Sequence, residues 1–157
     1  MQDRNAVCDY IIHRVLAAEA GLNHLKLQKL LYYVQAWCLA FTGQSLFQGR
    51  FQAWVHGPVN REIYDRFTTT KSLYSEIAES DCSPQFSSES LTEEARLHID
   101  AVLDAYAGFT GDQLEYFTHQ ELPWTEARLG YKPYDRCERL ISENTMATYY
   151  SARLQNK

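Results

Sequence analysis

Apolar residues recur along this chain at spacings of three and four, the period of helices that bury one face. Val7, Ile11, Val15 and Ala18, flanked by Tyr10 and Ile12, predict a first helix over about 6–20. Asp3 or Asn5 can cap it, and Gly21 ends it. A second helix is predicted over about 25–41, with Gly43 as its stop. Leu27, Leu30, Leu31, Val34, Cys38 and Phe41 form one broad stripe on it. The opposite side carries Lys29, Tyr32, Tyr33, Ala36, Leu39 and Ala40, which is a poor solvated face. Such a helix is either central in a bundle or presents a surface to a partner, and both can hold at different ends.

The period then changes. Phe51, Ala53 and Val55 alternate with Gln52, Trp54 and His56, which predicts a short extended segment or a two-stranded hairpin. Gly57-Pro58-Val59 is expected to break it and open a helix, with Val59, Ile63 and Phe67 as packing edge. From about 68 to 91 serines dominate and the pattern weakens, so an exposed, less ordered loop with one helical turn near 73–78 is expected. Thr92 caps a helix over about 92–107, whose stripe is Ile99, Val102, Leu103 and Tyr106. Thr110 and Gln113 form a capping box for a helix that reaches about His119. Leu122-Pro123-Trp124 starts a short helix that Gly130 ends, and a last helix spans about 142–155. The expected fold is mainly α: one compact domain over 1–157, a bundle of six to seven helices with a short extended or hairpin insert.

Composition narrows what such a bundle does. Aromatics are 13% of 157 residues, eleven of them Tyr, enough bulk for a real core. The net charge of -5 and the lack of a basic recognition helix argue against a nucleic-acid partner. The uncharged run from Leu30 to Gly49 is mainly apolar only in its first half, short of the roughly 20 residues a membrane span needs. No membrane partner is expected. The N-terminus lacks the pattern of a secretion signal, and Cys8, Cys38, Cys82 and Cys137 are far apart in sequence. Reduced thiols in the cytoplasm are the expectation.

Candidate chemistry is sparse. No HExxH, cysteine pair, G-x-S-x-G elbow or phosphate loop is present, so no metal, no cofactor and no enzymatic activity are expected. His119 is expected to hydrogen-bond backbone at a helix end, with Trp124 packed below it. Lys26 and Lys29, one turn apart, are open to two readings: contact with an acidic patch, or a solvated helix start whose stems cover Tyr33. Gln28 is as fit to pin a loop from the interior as to face a partner. Trp37, Trp54 and Trp124 are expected in or at the edge of the core, with Trp54 or Tyr32 the alternative as an interface anchor.

Three blocks of sequence carry a resemblance. They are Leu25-Lys26-Leu27-Gln28-Lys29-Leu30-Leu31-Tyr32-Tyr33-Val34-Gln35-Ala36-Trp37; Ser45-Leu46-Phe47 with Phe51-Gln52-Ala53-Trp54-Val55-His56-Gly57-Pro58-Val59 and Ile63-Tyr64; and Thr118-His119-Gln120-Glu121-Leu122-Pro123-Trp124 with Ala127-Arg128. In this order they resemble the Panacea-domain proteins, also described as SocA-like or phage-associated GepA-like, over about residues 6–150. His56 departs from the Tyr common before Gly-Pro-Val but keeps a planar, polar-tipped side chain.

The resemblance implies an antitoxin that neutralises a cognate toxin protein by direct contact. One alternative is an adaptor that delivers the toxin to a ClpXP-type protease. Another, of a different class, is an enzyme that reverses the toxin's modification of its target. The residues expected to meet the partner are Lys26, Gln28, Lys29, Tyr32, Tyr33, Trp54, His56 and Tyr64. Those expected to hold the fold are Leu27, Leu30, Leu31, Trp37, Gly57, Pro58, Val59, His119, Pro123 and Trp124.

Overall fold

A computed structural model describes residues 1–155. The described residues form seven helices and one hairpin. The helices are α1 (Arg4–Ala17), α2 (His24–Thr42), α3 (Arg61–Phe67), α4 (Glu93–Tyr106), α5 (Gly111–His119), α6 (Leu122–Ala127) and α7 (Glu143–Gln155). Strands β1 (Gln52–Trp54) and β2 (Gly57–Val59) pair antiparallel, with Ala53 opposite Pro58.

The bundle is built around α2, which packs against α1, α4, α5, α7 and β2. Asn23 caps its start by accepting from the amide of Lys26, and Gly43 ends it at φ 74°, a left-handed conformation that favours glycine. Nearly every side chain of α2 from His24 to Leu39 is buried, so the helix is central along most of its length. Its last turn emerges from the bundle: Phe41, expected in the apolar stripe, is 60% exposed there and packs against the half-buried Trp37 and against His98.

Several elements differ from the pattern-based expectation. α1 starts earlier because Asp3 accepts from the amide of Ala6, and it ends at Ala17, with Glu19 at φ 58°. Gly57-Pro58-Val59 does not open a helix; it is the second strand of the hairpin. Gly57 has φ 93°, outside helical space, and the cap of α3 is Asn60, whose side chain accepts from the amide of Ile63.

The segment over 73–78 is not a helix: a single turn at Leu73 and Tyr74, closed by the Ser75 amide on the Ser72 carbonyl, leads into an extended stretch in which Glu76 bridges Asn23. Its carbonyls are engaged elsewhere: Ser75 and Leu73 accept from the amides of His24 and Leu25 at the start of α2. A helix start leaves four amides unpaired, and this loop satisfies two of them. Short 3₁₀ turns follow at Glu79–Asp81 and Ser88–Ser90. Arg66 of α3 meets the buried carboxylate of Asp9 on α1 and donates to the carbonyl of Asp81, tying this loop to the bundle.

The extended segment before α3 is moored to α2 by buried polar side chains. Gln35 accepts from the amides of Leu46 (2.9 Å) and Phe47 (3.3 Å) and donates to the carbonyl of Phe47 (2.8 Å). Gln28 accepts from the amide of Asn60 at 2.8 Å. Lys29 donates to the carbonyl of Pro58 at 2.8 Å. On the hairpin's other side, Ala53 donates to the carbonyl of Arg139 and Ile141 to that of Phe51, so residues 139–141 cover the free edge of β1.

Replacing Gln35 with Leu keeps the bulk but strands the amides of Leu46 and Phe47. The expected cost is ~2 kcal/mol of stability, read as a lower urea midpoint at unchanged slope. The same change at exposed Gln44 should stay within about 0.5 kcal/mol of wild type.

Candidate functional site

The three sequence blocks meet in space, in two buried polar clusters and one surface groove. The first cluster lies between α2, the hairpin and α5. Lys29 is fully buried, and burial pushes its amine down to about 7, with Glu115 opposing the shift. Gly57 seals this site: a Cβ there would lie 2.6 Å from Lys29 Cε and 2.9 Å from Thr118 Oγ1. Beside it, His24 Nε2 lies 3.2 Å from Gln28 Nε2, and the His24 ring stacks on Tyr64 at 5.5 Å. His119 stacks on Trp124 at 4.0 Å between ring centres. Burial, with the charge of Lys29 adding to it, lowers both His24 and His119 to about 4.

The second cluster is centred on Glu121, just before α6. One carboxylate oxygen accepts from Tyr33 (2.8 Å) and Tyr150 (2.7 Å), and the other from Arg153 (2.7 Å). Tyr32 and Tyr150 share a hydrogen bond of 3.1 Å. Burial pushes the Glu121 carboxyl up, and the bonds from Tyr150, Tyr33 and Arg153 hold it back. Burial likewise pushes the hydroxyls of Tyr32, Tyr33 and Tyr150 well above the ordinary tyrosine range. These groups are neutral donors that fasten α2, α6 and α7 together around one carboxylate.

These placements correct five of the eight expected contact residues. Tyr32 and Tyr33 are not left over on the surface; they are core residues that ring-pack with Phe51, Tyr106 and Tyr150. Lys29 is neither a patch-binding cation nor a solvated one. Lys26 is also buried, and its amine donates to the carbonyls of Gly21 and Ala107. Gln28 is internal and pins Asn60. Pinning a loop was one of the two readings open to Gln28, whereas Lys26, Lys29, Tyr32 and Tyr33 read as surface because a polar residue on a helix does so until a partner is known, and each has one far along the chain, at Ala107, Pro58, Tyr150 and Glu121.

Leu27, Leu30, Leu31, Gly57, Pro58, Val59, Pro123 and Trp124 are buried, while Trp37 and His119 are half-buried. Sequence reasoning assigned no role to Glu121, nor to Arg128. Arg128 is buried, with its guanidinium on the carbonyls of Ala53, Lys132 and Asp135 at 2.7–2.9 Å. Both belong to the third block, where they are its two charged residues, and that was the available signal.

Trp54, His56 and Tyr64 are the expected contact residues that reach the surface, and they line one groove. Its volume is about 350 Å³, and Arg61, Tyr134, Arg136 and Glu138 complete its walls. Trp54 and Tyr64 meet edge-on at 4.8 Å, and the Arg61 guanidinium lies 5.8 Å from each ring centre. His56 lies 3.4 Å from both Glu115 Oε1 and the Tyr74 hydroxyl.

Chemically, the buried clusters are poor sites for turnover. A general base or nucleophile must reach its substrate, and Lys29 is sealed under backbone. Among the described residues no group of three His, Cys, Asp or Glu side chains is placed to hold a metal. The four cysteines are free, and burial pushes the Cys8 thiol up to about 12. No helix among the described residues is long and apolar enough to cross a membrane.

Comparison with known proteins gives a consistent picture. Residues 27–125 match the family described as "Antitoxin SocA-like, Panacea domain". Antitoxin SocA of Caulobacter vibrioides (strain NA1000 / CB15N) is 33% identical over 72 residues, which is 46% of this chain and 38% of that protein. This chain therefore aligns with well under half the length of that relative. No solved structure matches.

Two predictions follow from the buried clusters. His24 and His119 take up protons more readily unfolded than folded between pH 6.5 and about 4. Their contribution to stability is therefore present above pH 6.5 and is lost as the pH falls through that window. Urea midpoints measured across it should drop for the wild type and drop less for a His24→Asn, His119→Asn double variant; equal slopes would contradict this account. Glu121→Ala should lower stability by ~3 kcal/mol in urea unfolding, because it removes the acceptor of two buried tyrosine hydroxyls and leaves a void in the core.

Proposed function

Because the chain belongs to the SocA-like Panacea-domain antitoxin family, we propose that it is an antitoxin that neutralises a cognate toxin protein by binding it, without chemistry of its own. The observation that supports direct binding is the groove at the hairpin. It sets the half-buried rings of Trp54 and Tyr64, the exposed ring of Tyr134 and two arginines on a rigid mount, the residue types that dominate binding energy at protein interfaces. Trp54, His56 and Tyr64 are its contact residues in this reading. The backbone beneath them is held by Lys29 and Gln28, so little ordering entropy is lost on docking. The place of action is the cytoplasm, where a toxin is made and must be met.

The test is co-expression with the protein encoded in the neighbouring reading frame, if that protein is toxic alone. Sequestration predicts rescue only at or above equal amounts, with a stable complex on gel filtration. Trp54→Ala should weaken that complex ~30-fold, the loss of one hot-spot side chain, while the thermal midpoint of the free protein stays close to wild type. Rescue by trace amounts without a complex would instead indicate an enzyme that reverses the toxin's modification. Loss of the toxin that depends on a ClpXP-type protease would indicate an adaptor.

A further inference from the structure

We propose that the groove recognises an acidic segment of the partner, seating a carboxylate between Arg61 and Arg136 and an apolar side chain against Trp54 and Tyr134. This rests on the reading of the chain as a protein-binding antitoxin and specifies the chemistry of what it binds.

The groove already shows the chemistry it accepts. Glu138 places one carboxylate oxygen 2.8 Å from Arg136 Nη2 and 3.6 Å from Arg61 Nη1. A carboxylate from the chain itself thus bridges the two arginines at the groove wall. Arg61 also donates its Nε–H to Asp65 at 3.1 Å, and the remaining N–H groups of the two guanidinium forks, five on each arginine in all, stay free for a further acceptor. Arg136 donates to Glu138 and is otherwise open, with 85% of its side chain exposed. A second carboxylate from a partner would find both arginines held apart and oriented.

The rest of the surface fits an acidic partner with an apolar anchor. Tyr134 is 91% exposed, an aromatic body beside the arginines with its face uncovered. The connection over 128–142 joins α6 to α7 without regular structure, and loops of that length in compact domains are usually functional. It carries Lys132, Arg136 and Arg139 on its surface against Asp135 and Glu138, with Arg128 buried beneath, a local excess of one positive charge in a chain of net -5. It is also fixed in shape. Cys137 is buried, Arg128 gathers the carbonyls of Ala53, Lys132 and Asp135, and Arg139 accepts from Ala53. The positive surface is therefore small, preformed and lined by aromatics. That suits a peptide bearing one or two carboxylates better than a polyanion, which the surrounding negative charge would repel.

The test is selection of short random peptides displayed on phage, with the whole protein as bait. Enriched peptides should carry Asp or Glu within a few positions of Trp, Tyr, Phe or Leu. Synthetic copies should bind more weakly as salt rises. Arg61→Glu and Arg136→Glu should each lower their affinity about tenfold, and Glu138→Gln should raise it about threefold. Both arginines are surface residues, so unchanged thermal midpoints show that the variants fold.

Enrichment of neutral or basic peptides, or indifference to both arginine variants, would overturn the proposal. So would tighter binding of a single-stranded oligonucleotide than of the selected peptides. The same variants are scored for rescue from the toxin. Full rescue by Arg136→Glu despite lost peptide binding would remove the groove as the toxin's dock while leaving the antitoxin reading intact. Failure of the wild type to rescue, with peptide binding as expected, would remove the antitoxin reading instead.

Discussion

A central helix that carries buried polar side chains is the constraint on which this fold depends. α2 is surrounded on nearly all sides, yet Gln28, Lys29 and Gln35 point into the interior. A buried amide or ammonium without a partner costs several times what a made hydrogen bond contributes. The backbone over 46–60 supplies those partners, through Leu46, Phe47, Pro58 and Asn60. The extended segment in turn lacks a full sheet, and its groups would be unsatisfied without α2. Helix and hairpin are therefore mutually required, which explains why a two-stranded insert, marginal on its own, is fixed in shape.

That mutual requirement carries through to the surface. Because Lys29 and Gly57 lock β2 from below, the hairpin presents Trp54 and His56 in a set direction, and Asn60 launches α3 so that Arg61 and Tyr64 lie beside them. Arg128 performs the same service for the facing loop. The Glu121 cluster fastens α7 to α2 by a different device: three donors around one carboxylate, with hydrophobic rings excluding water. Motif residues that look like chemistry are thus the means by which two non-adjacent surface segments are held at one spacing.

Residues whose roles were local were legible before the structure. The caps Asp3, Thr92 and Thr110, the stop Gly43 and the stripe of α4 depend on neighbours within a turn or two, and they are placed as their spacing implies. Roles that depend on distant partners were not legible. Tyr33 reads as surplus until Glu121, 88 positions away, is set against it, and Lys29 reads as solvated until Pro58 covers it. The segment over 73–78 reads as helical, yet its turn does not propagate, because the carbonyls of Leu73 and Ser75 are claimed by the first amides of α2, which no local pattern reveals.

The helical class, the order of the helices, an extended insert between the second and third of them and the family resemblance were legible in the chain alone, because periodicity, capping and contiguous motifs are properties of neighbouring residues. The packing of the folded chain settled which polar residues are internal and which aromatics reach the surface. It moved Lys26, Gln28, Lys29, Tyr32 and Tyr33 inward and left Trp54, His56 and Tyr64 on one groove. The physical reason is that a polar or aromatic side chain carries no fixed preference for inside or outside. Its place is set by whether a partner is waiting, and that depends on where the rest of the chain has gone.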